Sequence, residues 1–201
     1  MKKLYVPIIT PFREDETVNY EALKKITKGL LSEGADGIYA GGSSAECFLM
    51  TMEERMKTLE TVISAADGAP VIAHIGAIGT KLSEELAVHA EKAGASMISS
   101  VPPFYFSYDF ESIKRYYWDL ADSVKLPLMI YYIPSNTSHQ LSAAQLAEIM
   151  DGRENITSIK FTSFDYYKMQ QLHEMTKKEV ISGKDEGFIS AMAMNADGAI
   201  G

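Results

Sequence analysis

The sequence predicts a closed (β/α)₈ TIM barrel, a single domain over residues 1–201, on three observations. Eight short apolar runs recur, each leading through a Gly, Ser or Pro turn into a stretch of helical periodicity. The runs are apolar at nearly every position, as parallel strands covered on both faces require. Such an alternation closes into a barrel or opens into a doubly wound sheet. The G-x-G-x-x-G turn of a dinucleotide-binding open sheet is missing after the first strand, which favours the barrel.

The strand runs are YVPIIT (5–10), GIYAGG (37–42), PVIAHIG (70–76), SMISSVPP (96–103), PLMIYYIP (127–134), ITSIKFT (156–162), EVISG (179–183) and ADGAIG (196–201). Between them, Asn19 caps a helix whose apolar face carries Leu23, Ile26, Leu30 and Leu31 and which ends at Gly34. Thr51–Glu54 and Ser142–Gln145 have the spacing of capping boxes, in which the first and fourth side chains satisfy each other's free N–H groups. Residues 80–93, 109–123 and 164–177 continue the alternation, with a shorter helix over 186–194. A barrel of this kind usually takes about 250 residues. The 201-residue sequence ends directly after its eighth strand, so the barrel is expected to be truncated, lacking its last helix and any C-terminal helical extension.

Composition narrows the function classes. The chain is 46% hydrophobic and 23% charged, with a net charge of −8 and no block of Lys or Arg, which argues against a nucleic-acid partner. The N-terminal MKKLYVPIITPF reads as a first strand, because Pro7 and Pro11 break its apolar stretch. No apolar run nears the ~20 residues of a membrane span, so the expectation is a cytoplasmic protein without a membrane partner. A single cysteine, Cys47, forbids an internal disulfide.

In a barrel, chemistry sits at the C-terminal ends of the strands. Lys160, between Ile159 and Phe161, must point inward or snorkel out. Buried, its ammonium would lose pKa and become a nucleophile toward a ketone; solvated, it would be an ordinary strand-end lysine. One of the adjacent Tyr131 and Tyr132 faces the interior, where a phenol either packs or moves protons. Gly41-Gly42-Ser43-Ser44-Ala45-Glu46 offers successive N–H groups and two hydroxyls to a small carboxylate, or is simply a turn. Pro102-Pro103-Phe104-Tyr105-Phe106 forms a stiff aromatic loop suited to a subunit contact or a substrate wall. In Gly183-Lys184-Asp185-Glu186, two carboxylates could hold sugar hydroxyls, or Asp185 could cap the next helix. His74, His89, His139 and His173 are scattered without metal-ligand spacing, and the two on helical segments, His89 and His173, read as surface residues, so no metal is expected. G-x-S-x-G is absent, and Cys47 reads as a small packed residue.

Taken together, GGSSAE, PPFYF, YYIP, IKFT and GKDE, in this order on successive strands, resemble the N-acetylneuraminate lyase/dihydrodipicolinate synthase family over essentially the whole chain. The resemblance implies a class I aldolase mechanism with no cofactor beyond a covalent imine on Lys160. It further implies Tyr131 as the catalytic tyrosine, and Ser43 and Ser44 as the hydroxyls that bind the carboxylate of a 2-keto acid and hydrogen-bond that tyrosine. Tyr105 matches a residue that reaches a neighbouring subunit's site in a homotetramer, and Thr162 a sugar-binding position. Asn136 stands where the synthases of the family carry a carboxylate-binding arginine, and so lacks the bidentate fork. Gly183, Asp185 and Glu186 match the sialate lyases, favouring a polyhydroxylated sugar acid as substrate. Ala45 stands where the family commonly has glycine, an expected strain if φ there is positive. Two other readings remain: a synthase-like or other pyruvate aldolase of the family, and a catalytically silent barrel that only binds.

Overall fold

The computed structural model describes residues 2–201. Eight strands close into a barrel in chain order, every neighbouring pair parallel, with β1 (Lys3–Pro7) paired to β8 (Gly198–Ile200). The others are β2 (Gly37–Ala40), β3 (Val71–His74), β4 (Met97–Ser100), β5 (Leu128–Tyr132), β6 (Ile156–Phe161) and β7 (Glu179–Ser182). Around them run α1 (Tyr20–Ser32), α2 (Met52–Ala66), α3 (Thr80–Ala93), α4 (Phe110–Ser123), α5 (Pro134–Thr137), α6 (Ala143–Asp151), α7 (Tyr166–Thr176) and α8 (Phe188–Ala193). Among the described residues, no helix is long and apolar enough to cross a membrane.

Five of the eight helices, α1, α2, α4, α6 and α7, start where a side chain satisfies one of the first free N–H groups. The Asn19 side chain accepts from the Ala22 N–H at 3.1 Å, and Thr51 with Glu54 and Ser142 with Gln145 both form reciprocal capping boxes. Each cap contributes about 1 kcal/mol. Gly34, past the end of α1, takes φ +101°, a conformation open to glycine without strain.

Strand alternation sorts the side chains into two cores. Outward-facing residues such as Ile38, Ile130, Ile159 and Val180 pack with Leu86, Leu120, Leu146 and Leu172 of the helices into one annular apolar layer. Inward-facing Tyr39, Ile72, Met129, Tyr131, Ile181 and Ile200 fill the barrel itself. The adjacent tyrosines of β5 separate by this rule: Tyr131 turns inward, and Tyr132 turns outward to stack on Phe161, ring centroids 5.1 Å apart.

Three boundaries depart from expectation. The first strand is Lys3–Pro7 and not 5–10, because it must register Tyr5 against Gly37 and Lys3 against Gly198. One further ladder bond follows, from the Ile8 N–H to the Tyr39 carbonyl at 3.0 Å. Residues 12–18 make a local turn closed by an antiparallel bridge between Phe12 and Val18. Proline-initiated α5 interrupts the expected β-to-α connection after β5.

Candidate active site

Strand register brings the chemistry together. Tyr131 pairs with Lys160 between β5 and β6, and Lys160 with Ile181 between β6 and β7, so lysine and tyrosine share one level of the barrel. Both are only 4% exposed. The Lys160 Nζ lies 4.4 Å from the Tyr131 ring centroid and 4.7 Å from that of Tyr39. It forms no ion pair among the described residues. Burial strips water from the ammonium and lowers its pKa to about 8, with the Asp185 carboxylate pulling weakly in the other direction. A lysine so placed has a substantial neutral fraction near neutral pH, the form that attacks a carbonyl.

Burial pushes the Tyr131 phenol above its ordinary range, while the neighbouring hydroxyls of Ser43 and Thr162 restrain the rise. These contacts are loose: the Thr162 Oγ1 is buried without a partner at hydrogen-bond geometry. Candidate general acid–base groups often tighten only around a bound reactant. Thr162 also abuts Gly183, where an added Cβ would lie 2.0 Å from its Oγ1 and 3.1 Å from the Lys160 Cε. A side chain at position 183 would therefore require Thr162 to move. Asp185 and Glu186 follow on an exposed 3₁₀ turn (Asp185–Gly187), and Asp185 does not cap α8, whose N-cap is Gly187.

After β2, Ser43, Ser44 and Ala45 form a 3₁₀ turn. The expected strain at Ala45 does not arise. The left-handed conformations fall at Gly41 (φ +69°) and Glu46 (φ +56°), and Ala45 sits buried between them, its carbonyl accepting from Thr10 Oγ1 at 2.8 Å. A cleft of about 300 Å³ opens at this end of the barrel, lined by Ser43, Cys47, Phe48, Val101, Phe104 and Asn136 among others. Ser44 is exposed on the same turn.

The aromatic loop after β4 serves two sides. Phe104 packs inward on Phe48, centroids 4.5 Å apart, while Tyr105 is 83% exposed at φ +78°, edge-on to Phe106. Of the expected catalytic residues, Tyr131 lies against Lys160, whereas Ser44 and Tyr105 are exposed on the loops after β2 and β4.

Two residues near Lys160 escaped the sequence reading. Tyr39, which faces Lys160, sits two positions before Gly41 on the inward alternation of β2, a pattern that could have exposed it. His74 ends β3 with its ring edge-on to Tyr131 at 5.9 Å. Its counterparts His89 and His173 do lie on helices but are half-buried, paired with Glu60 and Asp197. Among the described residues, no three His, Cys, Asp or Glu side chains converge as metal ligands would.

An eight-stranded parallel barrel with a buried amine at the C-terminal end of β6 defines the class of protein. The chain belongs to the dihydrodipicolinate synthetase family, which it matches over residues 1–201, a family of pyruvate-dependent class I aldolases and lyases. It is 36% identical to the N-acetylneuraminate lyase of Rhizobium meliloti, over 100% of this chain and 67% of that protein. The crystal structure of CdNal from Clostridium difficile in complex with mannosamine superposes with a TM-score of 0.96 at 32% identity, covering 100% of this chain and 70% of that one. YagE, a prophage protein of the dihydrodipicolinic acid synthase family from E. coli K12 solved with pyruvate, superposes at 0.95 with 28% identity, over 99% of this chain and 69% of its own.

Proposed function

We propose that the chain, as one barrel domain over residues 1–201, is a Schiff-base lyase. It cleaves N-acetylneuraminate or a related 2-keto-3-deoxy sugar acid to pyruvate and an aldehyde sugar. The observation that carries this reading is the burial of Lys160 between the Tyr39 and Tyr131 rings with its pKa lowered to about 8.

The neutral Lys160 amine attacks the C2 ketone of the open-chain substrate, and loss of water gives a protonated imine. Tyr131, having given its phenolic proton to the hydroxyl that departs as water in forming the imine, takes the proton of the C4 hydroxyl while the C3–C4 bond breaks, and the electron pair of that bond passes into the imine as an enamine. The aldehyde leaves, C3 of the enamine takes a proton, and hydrolysis frees pyruvate and the lysine. Ser43 and Ser44 hold the substrate carboxylate, and Ser43 and Thr162 orient the Tyr131 phenol, as their effect on its pKa supports. Thr162, Gly183, Asp185 and Glu186 form the wall for the sugar tail. Tyr105, exposed and held at a positive φ, reaches the site of a neighbouring subunit in a tetramer.

Asn136 favours a sugar acid over a second carboxylate-bearing substrate, since its amide offers no guanidinium fork. Its Oδ1 already accepts from Ser135 at 2.7 Å. Borohydride reduction with pyruvate is expected to leave a mass adduct on Lys160, and an unmodified Lys160 in folded protein would sink the proposal. Cleavage of N-acetylneuraminate faster than 2-keto-3-deoxygluconate is the expected ranking; the reverse would move the substrate elsewhere in the family.

A further inference from the structure

We infer that His74 is a positioning residue that fixes the shape of the Gly41–Glu46 loop and thereby the affinity of the site for the carboxylate of a 2-keto acid. This rests on the reading of Lys160 as the imine-forming lysine.

The side chain clasps the loop at both ends. Its Nδ1 lies 2.8 Å from the carbonyl oxygen of Gly41, where the loop begins, and 3.7 Å from the Cys47 sulfur, where it has just ended. A carbonyl can only accept, so Nδ1 carries the proton and donates. Gly41 is at φ +69°, a soft position whose carbonyl direction needs an external hold, and His74 supplies it. The ring itself cannot slide. An added Cβ at Gly76 would come within 2.9 Å of Nε2, the Phe48 and Tyr131 rings stand edge-on at 6.0 and 5.9 Å, and Tyr39 lies tilted at 6.2 Å.

The backbone behind the ring is fixed as well. Arg55 of α2, itself buried, donates from Nη2 to the His74 carbonyl at 3.1 Å. The chain of contacts thus runs from α2 through β3 to the loop that bears Ser43 and Ser44. Burial, with the Arg55 and Lys160 charges beside it, pushes the imidazole down to about 3, so the donor is the same neutral tautomer throughout the working pH range.

The second ring nitrogen, Nε2, is buried with no hydrogen-bond partner among the described residues, so the hold on the loop rests on Nδ1 alone. An asparagine would place its amide N–H near the Nδ1 position.

The test uses the full chain and pyruvate as probe, reading the pyruvate concentration that gives half-maximal borohydride-trapped adduct on Lys160. His74→Phe keeps the ring and removes the donor, and is expected to raise that concentration about tenfold, the worth of one orienting hydrogen bond. The extent of trapping at saturating pyruvate should be retained, and in turnover the loss should fall on KM more than on kcat. His74→Asn is expected to recover most of the affinity. An unchanged half-saturation in His74→Phe, or no recovery by Asn, overturns the inference and leaves Lys160 untouched. His74→Leu replaces Phe if that variant does not fold, and failure of both assigns His74 to stability and equally overturns it. An unmodified chain that traps no pyruvate removes the reading of Lys160, and this inference with it.

Discussion

The annular layer between strands and helices and the interior of the barrel differ in what their residues accomplish. In the annulus, Ile38, Leu86, Leu120, Leu146 and Ile159 are fully or almost fully buried and carry no polar atoms that need partners. Inside, around Lys160, the same depth of burial holds an ammonium without an ion pair and a threonine hydroxyl without a partner among the described residues, and a histidine that burial keeps neutral. The first arrangement maximises apolar burial, worth about 25 cal/mol per Å². The second costs stability and returns reactivity, which is the exchange expected at functional sites. Stability and chemistry therefore occupy opposite faces of the same eight strands.

That contrast can be broken most sharply at Lys160. Lys160→Met is expected to abolish the borohydride adduct and lower kcat by about 10⁶-fold, the cost of removing a covalent nucleophile. The same variant should be more stable than the unmodified chain, because it replaces a buried cation with an apolar side chain of similar length.

Next in size is the opposite experiment in the annulus. Leu120→Ala should lower unfolding stability by about 2–5 kcal/mol while the folded fraction keeps its ability to trap pyruvate. Loss of trapping in folded Leu120→Ala would show that the two regions are coupled. Denaturant titration alongside adduct mass separates these outcomes.

The smallest effect sharpens the comparison through pH. Lys160 titrates near 8 when folded against 10.5 for a free lysine, so the unfolded chain binds more protons between those values. Below pH 8 the folded state carries the full penalty, roughly 3 kcal/mol for such a shift. It is relieved as pH rises from about 8 to 10.5. The stability advantage of Lys160→Met should accordingly be largest at pH 7 and vanish by about pH 10.5. An advantage that does not change with pH would mean that Lys160 titrates normally.

The fold was largely legible because it rests on local patterns. The capping boxes at Thr51 and Ser142, the apolar face of α1 and the fully apolar strands all declare themselves within a few residues. Lys160 was legible for the same reason: a lysine between Ile159 and Phe161 has few places to go. His74 was not, because its meaning lies in Gly41, Cys47 and Arg55, which are 33, 27 and 19 positions away and meet it only through the β2–β3 pairing and the packing of α2. Strain at Ala45 depended on a positive φ there, which likeness to a glycine could not decide; the loop takes its left-handed turns at Gly41 and Glu46 instead. The start of β1 was displaced because hydrophobicity favours 5–10, whereas register against β2 and β8 selects Lys3–Pro7.

Gly183 has a consequence for anyone who would redirect this barrel to another aldehyde. A Cβ added at Gly183 would lie 2.0 Å from the Thr162 Oγ1 and 3.1 Å from the Lys160 Cε, so the exit of β7 is gauged by an atom that is absent. A side chain introduced there would first displace the Thr162 hydroxyl beside the nucleophile. Randomisation belongs further on, at Asp185 and Glu186, whose side chains are exposed on the 3₁₀ turn that follows β7.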